Sequence, residues 1–185
     1  MFPYKVIRTH RLSIGIQVKD GIIVVRAPFN ISLADIEKAL AEHSEWIEKR
    51  LKESERIKKE SEKEPKLSMA EIRKLADEAL RVIPERVAYY AEKMHVTYGK
   101  ITIRNQKTRW GSCNYKGDLN FNCLLMLTPP EALDSVVVHE LCHIRHHDHS
   151  KEFYQEVLKY YPDYYKWDAW LNENGKILIR RMTKE

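Results

Sequence analysis

Cysteine is scarce in this chain, and the cysteines present do not form a pattern typical of disulfide-stabilised proteins. The chain has only Cys113, Cys123 and Cys142, an odd number without a Cys-x-x-Cys pair. Small secreted domains depend on paired cysteines, so the sequence excludes that class and indicates a reducing compartment. Cys142 is expected to be a small core residue.

Long apolar segments are also missing. The chain contains no run of about 18 apolar residues, the length that a membrane-spanning helix requires. Residues Met1–Lys5 lack the features of a secretory signal. We therefore expect a soluble, cytoplasmic protein without a membrane partner.

The composition is that of a globular protein with more than one part. With 43% hydrophobic residues among 185, the chain can bury the core of one larger domain and a small appendage. We predict an α+β fold in which an N-terminal β-hairpin and helix module, residues 1–52, is joined to a larger domain with a short β-sheet, residues 67–185. Residues 53–66 between them are nearly all charged, which indicates a linker or a helix extension.

Local patterns predict the elements of both parts. Tyr4–Pro28 alternates like strands around a turn, and a helix begins at the cap Ser32. In the larger domain, a long helix and a strand are followed by a turn region over Gly111–Gly117 and a second strand over Asp118–Leu127. Lys176–Arg181 is predicted to be a short final strand.

Histidine is concentrated in one short stretch. Five of the eight histidines fall between positions 139 and 149, where His139 to His143 form an H-E-x-x-H sequence. Residues i and i+4 of a helix lie on one face, so His139 and His143 can aim ring nitrogens at one cation. Glu140 is placed to take a proton from water that the metal activates.

A catalytic metal site needs a third protein ligand and an open position for water. His149 can supply that ligand if the helix ends before it, and Asp148 and Ser150 indicate such an end. A downstream carboxylate, Glu156 or Asp163, is the alternative.

Several runs in the chain resemble one family. The resemblance to the YgjP-like metallopeptidases rests on these segments: Val24–Pro28, Arg109–Cys113, Leu119–Asn122, Val137–His143, His149-Ser150 and Phe153. It covers nearly the whole chain and implies a zincin-like catalytic domain with an H-E-x-x-H active-site helix, similar in its core to SprT-like and WLM-like proteases. It also implies one zinc ion per chain on His139, His143 and His149, with Glu140 as general base.

The sequence therefore predicts a zinc-dependent metallopeptidase that acts on a protein or peptide. In zincins the strand before the ligand helix lines the cleft and accepts an extended substrate by strand addition. Here that strand is Leu119–Cys123, and Asn120, Phe121 and Asn122 are the predicted substrate-binding residues. Four side chains are candidates to stabilise the oxyanion: Arg109, His146, Tyr164 and Tyr165.

An excess of basic residues leaves other functions open. The net charge is +5, and Arg104, Lys107 and Arg109 cluster near Trp110 and Tyr115, a combination that can bind phosphates and stack a base. The alternatives are a hydrolase of nucleoside triphosphates and a protease acting on DNA-bound proteins, beside a plain solubility role for the charge. A DNA-binding protein with a structural zinc is disfavoured, because a structural site has no use for the H-E-x-x-H carboxylate.

Overall fold

The computed structural model describes residues 3–182, which form two compact units. The division falls between Lys63 and Glu64, inside the charged segment. Each unit combines helices with a three-stranded sheet, in agreement with the predicted α+β class. No helix in this part of the chain is long and apolar enough to cross a membrane.

The sheet of the first unit contains β1 (Tyr4–Arg8), β2 (Gly15–Lys19) and β3 (Ile22–Ala27). β3 lies in the centre, parallel to β1 and antiparallel to β2. The predicted hairpin is formed by β2 and β3, whose turn places Asp20 and Gly21 at φ values of 51° and 79°. Positive φ at both positions is typical of the turn that matches the twist of a two-residue hairpin.

Two helices complete the first unit, α1 (Leu33–Glu42) and α2 (Ser44–Lys63). The Ser32 hydroxyl accepts a hydrogen bond of 3.1 Å from the backbone N–H of Asp35, as expected for an N-cap. The single helix predicted from this cap is broken at His43, where the backbone leaves the helical conformation. α2 then continues through most of the charged segment, so the helix extension describes that segment better than a linker does.

The second unit begins with the long helix α3 (Met69–Met94), which starts with a capping box between Ser68 and Glu71. The chain then forms β4 (Ile101–Arg104). Its partner in the sheet is a strand later in the chain, and residues of the site lie in the connection between the two strands.

Two predictions for this sheet are corrected. The predicted turn region begins with a strand, β5 (Gly111–Cys113), and the predicted strand Asp118–Leu127 is shorter than expected, β6 (Leu119–Asn122). A 3-10 helix occupies Cys123–Leu127, because the Asn122 side chain accepts the N–H of Leu124 and turns the chain. The strand order is β4-β6-β5, with β6 parallel to β4 and antiparallel to β5.

Three helices follow: α4 (Pro130–Cys142), α5 (Lys151–Tyr160) and α6 (Tyr164–Arg180). The predicted strand Lys176–Arg181 is wrong, because α6 runs through Gly175 without a break. The helix does not end at Gly175. The glycine instead allows a close contact with Trp110, since a Cβ there would lie 2.5 Å from the Trp110 ring.

The core of the second unit joins the sheet, the 3-10 helix and the four helices α3 to α6. Its fully buried side chains include Phe121, Leu124, Leu125, Val137, Val138, Leu141, Cys142 and Phe153. Cys142 is the core residue predicted, and all three cysteines are free. The core anchors α4 and β5, which bring together the residues of the site.

Candidate active site

The H-E-x-x-H residues occupy the end of α4. His139 lies in its last turn and His143 caps the helix. The Cys142 carbonyl accepts the N–H groups of Arg145 and His146, so the chain leaves the helix in a tight turn. This turn directs the following residues back across the end of α4, and α5 begins at the Ser150 cap.

Three histidine rings converge at this point. Nε2 of His139 lies 3.2 Å from Nε2 of His143 and 3.1 Å from Nε2 of His149. One ring nitrogen from each histidine lies within 4.8 Å of the other two. Two imidazole nitrogens on a tetrahedral zinc lie about 3.3 Å apart, given Zn–N bonds of about 2.0–2.1 Å. The donor set and its spacing therefore fit a zinc ion with three protein ligands.

The surroundings of His139 and His143 favour neutral rings. Burial, with the neighbouring His143 and His149, lowers the pKa of His139 to about 3. Burial likewise lowers the pKa of His143. A neutral imidazole has the lone pair that a metal ligand requires, so these two rings are in their ligating form at neutral pH.

Each of the two helix histidines also contacts a second group through its other ring nitrogen. Nδ1 of His143 donates a hydrogen bond of 2.9 Å to the backbone carbonyl of His146. Nδ1 of His139 lies 2.8 Å from the hydroxyl of Tyr164, the first residue of α6. Such contacts fix the orientation of a ring.

The loop between the second and third histidines is held by Glu156 of α5. Its carboxylate pairs with Arg145 and lies 2.6 Å from Nε2 of His146. Arg145 also donates to the carbonyls of Met94 and His95 at the end of α3. Glu156, an alternative third ligand, thus pairs with Arg145 and His146 of the loop and is not part of the histidine group. The other alternative, Asp163, is not part of that group either.

Glu140 is buried beside the sheet. Its side chain is 5% exposed, and burial raises its pKa to about 8 while Arg109 acts in the opposite direction. The carboxylate lies against Gly111 of β5, where a Cβ would be 2.5 Å from Oε1 of Glu140. A side chain at position 111 would therefore displace the carboxylate.

β5 has a free edge along this site. Trp110 and Asn114, which flank β5, each form a backbone hydrogen bond with the β6 side, to Asn122 and Asp118. Because hydrogen-bonded and non-hydrogen-bonded pairs alternate in an antiparallel ladder, the N–H and C=O groups of the residues between them, at positions 111 and 113, point to the other edge. Within residues 3–182 no strand pairs with that edge.

The strand predicted to accept the substrate, Leu119–Cys123, has no free edge for strand addition. β6 is the central strand and both its edges are paired. Phe121 and Asn122 are fully buried, and the Asn122 amide donates to the carbonyls of Gln106 and Arg109. Asn120 is half-buried, and its side chain bonds to Ser112 and Arg104. These residues lie on the paired side of β5, and the free edge of the sheet beside Glu140 is that of β5.

The four candidates for oxyanion stabilisation lie in different surroundings. Tyr164 and His146 are occupied by the contacts with His139 and Glu156. Tyr165 is 55% exposed and stacks on Tyr154. Arg109 is exposed, and its charge reaches Glu140.

The basic cluster is divided between two tasks. Arg104 lies on β4 and donates to the Asn120 side chain, whereas Arg109 acts on the buried carboxylate of Glu140. Lys107 is exposed between them. The charge of Arg109 therefore acts at the same buried carboxylate that lies against Gly111.

Three residues of the site were not recognised in these roles from the sequence: Gly111, Glu156 and Tyr164. Each comes from an element distant in sequence from the ligand helix or carries no signal of its own. A glycine within a short polar run is also typical of a turn, which is why the sequence predicts a turn at Gly111.

Comparison with known proteins finds one matching family and two similar solved structures. The family model described as YgjP-like, metallopeptidase domain, matches residues 12–73 and 53–174. The metallopeptidase zymogen of Pyrococcus abyssi abylysin is 20% identical over 51% of this chain and 97% of its own, with a TM-score of 0.46. The metallopeptidase zymogen of Methanocaldococcus jannaschii jannalysin is 21% identical over 51% of this chain and 88% of its own, with a TM-score of 0.40. No curated protein matches the sequence.

Proposed function

This chain belongs to the YgjP-like metallopeptidase family, and on that premise we propose that His139, His143 and His149 hold one zinc ion and that Glu140 is the general base. The observation that carries the proposal is the convergence of three imidazole nitrogens at 3.1–3.2 Å contacts around His139. Zinc in such a site polarises a carbonyl oxygen and makes water acidic enough to attack at neutral pH.

Glu140 has the position that this chemistry needs. It directly follows the first proposed ligand on α4, and its carboxylate lies against β5 at Gly111. From there it can accept a proton from the attacking water and deliver it to the leaving amine. The nearby charge of Arg109 favours the ionised carboxylate.

We propose that the substrate is an extended polypeptide paired with β5. The free backbone groups at positions 111 and 113 can bond to a peptide strand, and the Glu140 carboxylate contacts the same strand. The scissile bond of a peptide bound there lies within reach of the base. The substrate class is therefore unfolded or extended protein.

The test compares wild type and Glu140→Gln on an unfolded protein, a DNA-bound protein and nucleoside triphosphates, each with and without a chelator. We expect the unfolded protein to be cut, and both the chelator and Glu140→Gln to remove most of the turnover, by about 10²- to 10⁴-fold for the variant. Glu131→Gln, an exposed acid at the start of the same helix, is the matched control.

Other outcomes would decide against the proposal. Nucleoside triphosphate hydrolysis without peptide cleavage would favour the phosphoanhydride alternative. Cleavage only of the DNA-bound protein would favour that protease class. Wild-type turnover in Glu140→Gln would be incompatible with Glu140 as the base.

A further inference from the structure

Tyr164 contacts the first histidine from the side opposite the proposed metal. Its hydroxyl lies 2.8 Å from Nδ1 of His139, and the two rings are nearly parallel, at an angle of 19° and a centroid distance of 5.8 Å. Tyr164 is only 5% exposed, so this contact is formed inside the core between α4 and α6.

The two nitrogens of His139 therefore have different surroundings. Nε2 faces His143 and His149, so Nδ1 carries the proton when the neutral ring is a ligand. Nδ1 then donates to the Tyr164 hydroxyl. This bond selects one tautomer and fixes the plane of the ring. Without it, the imidazole would have to lose that freedom when it binds a cation.

The other helix histidine is held differently. His143 donates to a backbone carbonyl, that of His146, which no side-chain substitution removes. The orientation of His139 depends instead on a single side-chain oxygen from another helix. Removing one atom, the hydroxyl oxygen of Tyr164, therefore removes the hydrogen bond that orients His139.

We infer that Tyr164 is a positioning residue for zinc, acting through His139, and is not a donor to the oxyanion. The inference rests on the proposed zinc site. Its hydroxyl lies beyond Nδ1, on the far side of the ring from the converging nitrogens, so it is directed away from the position of a substrate carbonyl. Losing the bond weakens zinc binding and leaves the packing of the ring in place.

The experiment is a measurement of the zinc dissociation constant by chelator competition for wild type, Tyr164→Phe, Tyr165→Phe and His149→Ala. Tyr164→Phe keeps the stacked ring and removes only the hydroxyl. We expect it to bind zinc about 10- to 100-fold more weakly than wild type, the usual effect of losing such a partner. Tyr165→Phe makes the same change at the adjacent exposed position and should bind zinc as wild type does.

Two further readouts separate positioning from general stability. The unfolding temperature of the zinc-free Tyr164→Phe protein should stay close to that of zinc-free wild type, and the visible spectrum of the cobalt-substituted variant should shift. Wild-type zinc affinity in Tyr164→Phe would overturn the inference, and so would a loss of zinc-free stability without a loss of zinc affinity. In either case, weakened zinc binding by His149→Ala would show that the proposed zinc site itself is still supported. Full zinc binding by His149→Ala would instead remove the site on which the inference rests.

Discussion

Gly111 is a glycine because of its neighbour and not because of its backbone. Its φ is not positive, unlike that of Gly21 and Gly117, so its conformation is open to any residue. The restriction is the Glu140 carboxylate, which occupies the space of a Cβ. Position 111 therefore limits where the proposed general base, Glu140, can lie.

Gly111→Ala should separate catalysis from metal binding. The added methyl group displaces the Glu140 carboxylate, and we expect turnover to fall on the order of 10²-fold, since misplacement by about 1 Å can have that effect. Zinc content should be unchanged because no histidine is touched. Wild-type turnover measured with the purified variant would contradict the role of this contact.

His149 gives a second prediction at this scale. His149→Ala leaves two histidines, which are too few for a stable catalytic site, so we expect metal analysis to show loss of bound zinc. The matched control is His147→Ala: His147 lies in the same loop but packs against the exposed Tyr115 ring and not against the other ligands. Full zinc occupancy in His149→Ala would transfer the third ligand to another residue.

Among the elements, the ligand helix was the easiest to predict. Its residues lie within one short segment, and the helical period by itself places His139 and His143 on one face. The capping signal of α1 was readable for the same reason, because it joins Ser32 and Asp35, which are three residues apart. Local patterns suffice where the interaction itself is local.

The strand β5, beside Glu140, could not be predicted in this way. β5 has three residues, Gly-Ser-Cys, with little intrinsic preference for a strand, and it exists because it pairs with β6. The predicted strand Lys176–Arg181 is wrong for a related reason: the glycine before it, Gly175, is required by the Trp110 ring of another part of the chain, which the local pattern does not show. The contact between Tyr164 and His139 likewise joins residues of two helices that only the fold brings together.

Pairing of a substrate with β5 predicts a pattern that repeats every two residues. Alternate residues of a strand turn their N–H groups to the same edge. In a set of variants of one cleaved peptide, each with a single N-methylated amide, we expect kcat/KM to fall by about tenfold at alternate positions, as for loss of one hydrogen bond. Positions between them should change little. A uniform loss, or none, would contradict strand addition.

At the scale of the whole molecule, the basic excess of +5 allows two interpretations. A nucleic-acid surface at Arg104, Lys107 and Arg109 would release counterions on binding, so DNA affinity would fall steeply as salt rises. The charge of Arg109 also acts on the carboxylate of Glu140, so this residue can serve the proposed active site instead.

Neutralising different subsets of the cluster distinguishes the two. We expect the triple variant Arg104→Gln, Lys107→Gln, Arg109→Gln to lose peptide hydrolysis, and the double variant that keeps Arg109 to retain it. A double variant whose salt dependence of DNA binding is flatter than that of wild type would support the nucleic-acid surface. Absence of DNA binding by wild type at low salt would remove that reading.

The free edge of β5 has a consequence for which proteins can be cut. A strand offers its partner only main-chain groups, and in a folded helix or sheet those groups are already bonded within the target. A cleft that recognises the main chain therefore responds to the conformation of a target before its side chains. Where a target opens and recloses faster than it is cut, its cleavage rate follows the fraction of time the segment is open. Such an enzyme would report on the local stability of its targets.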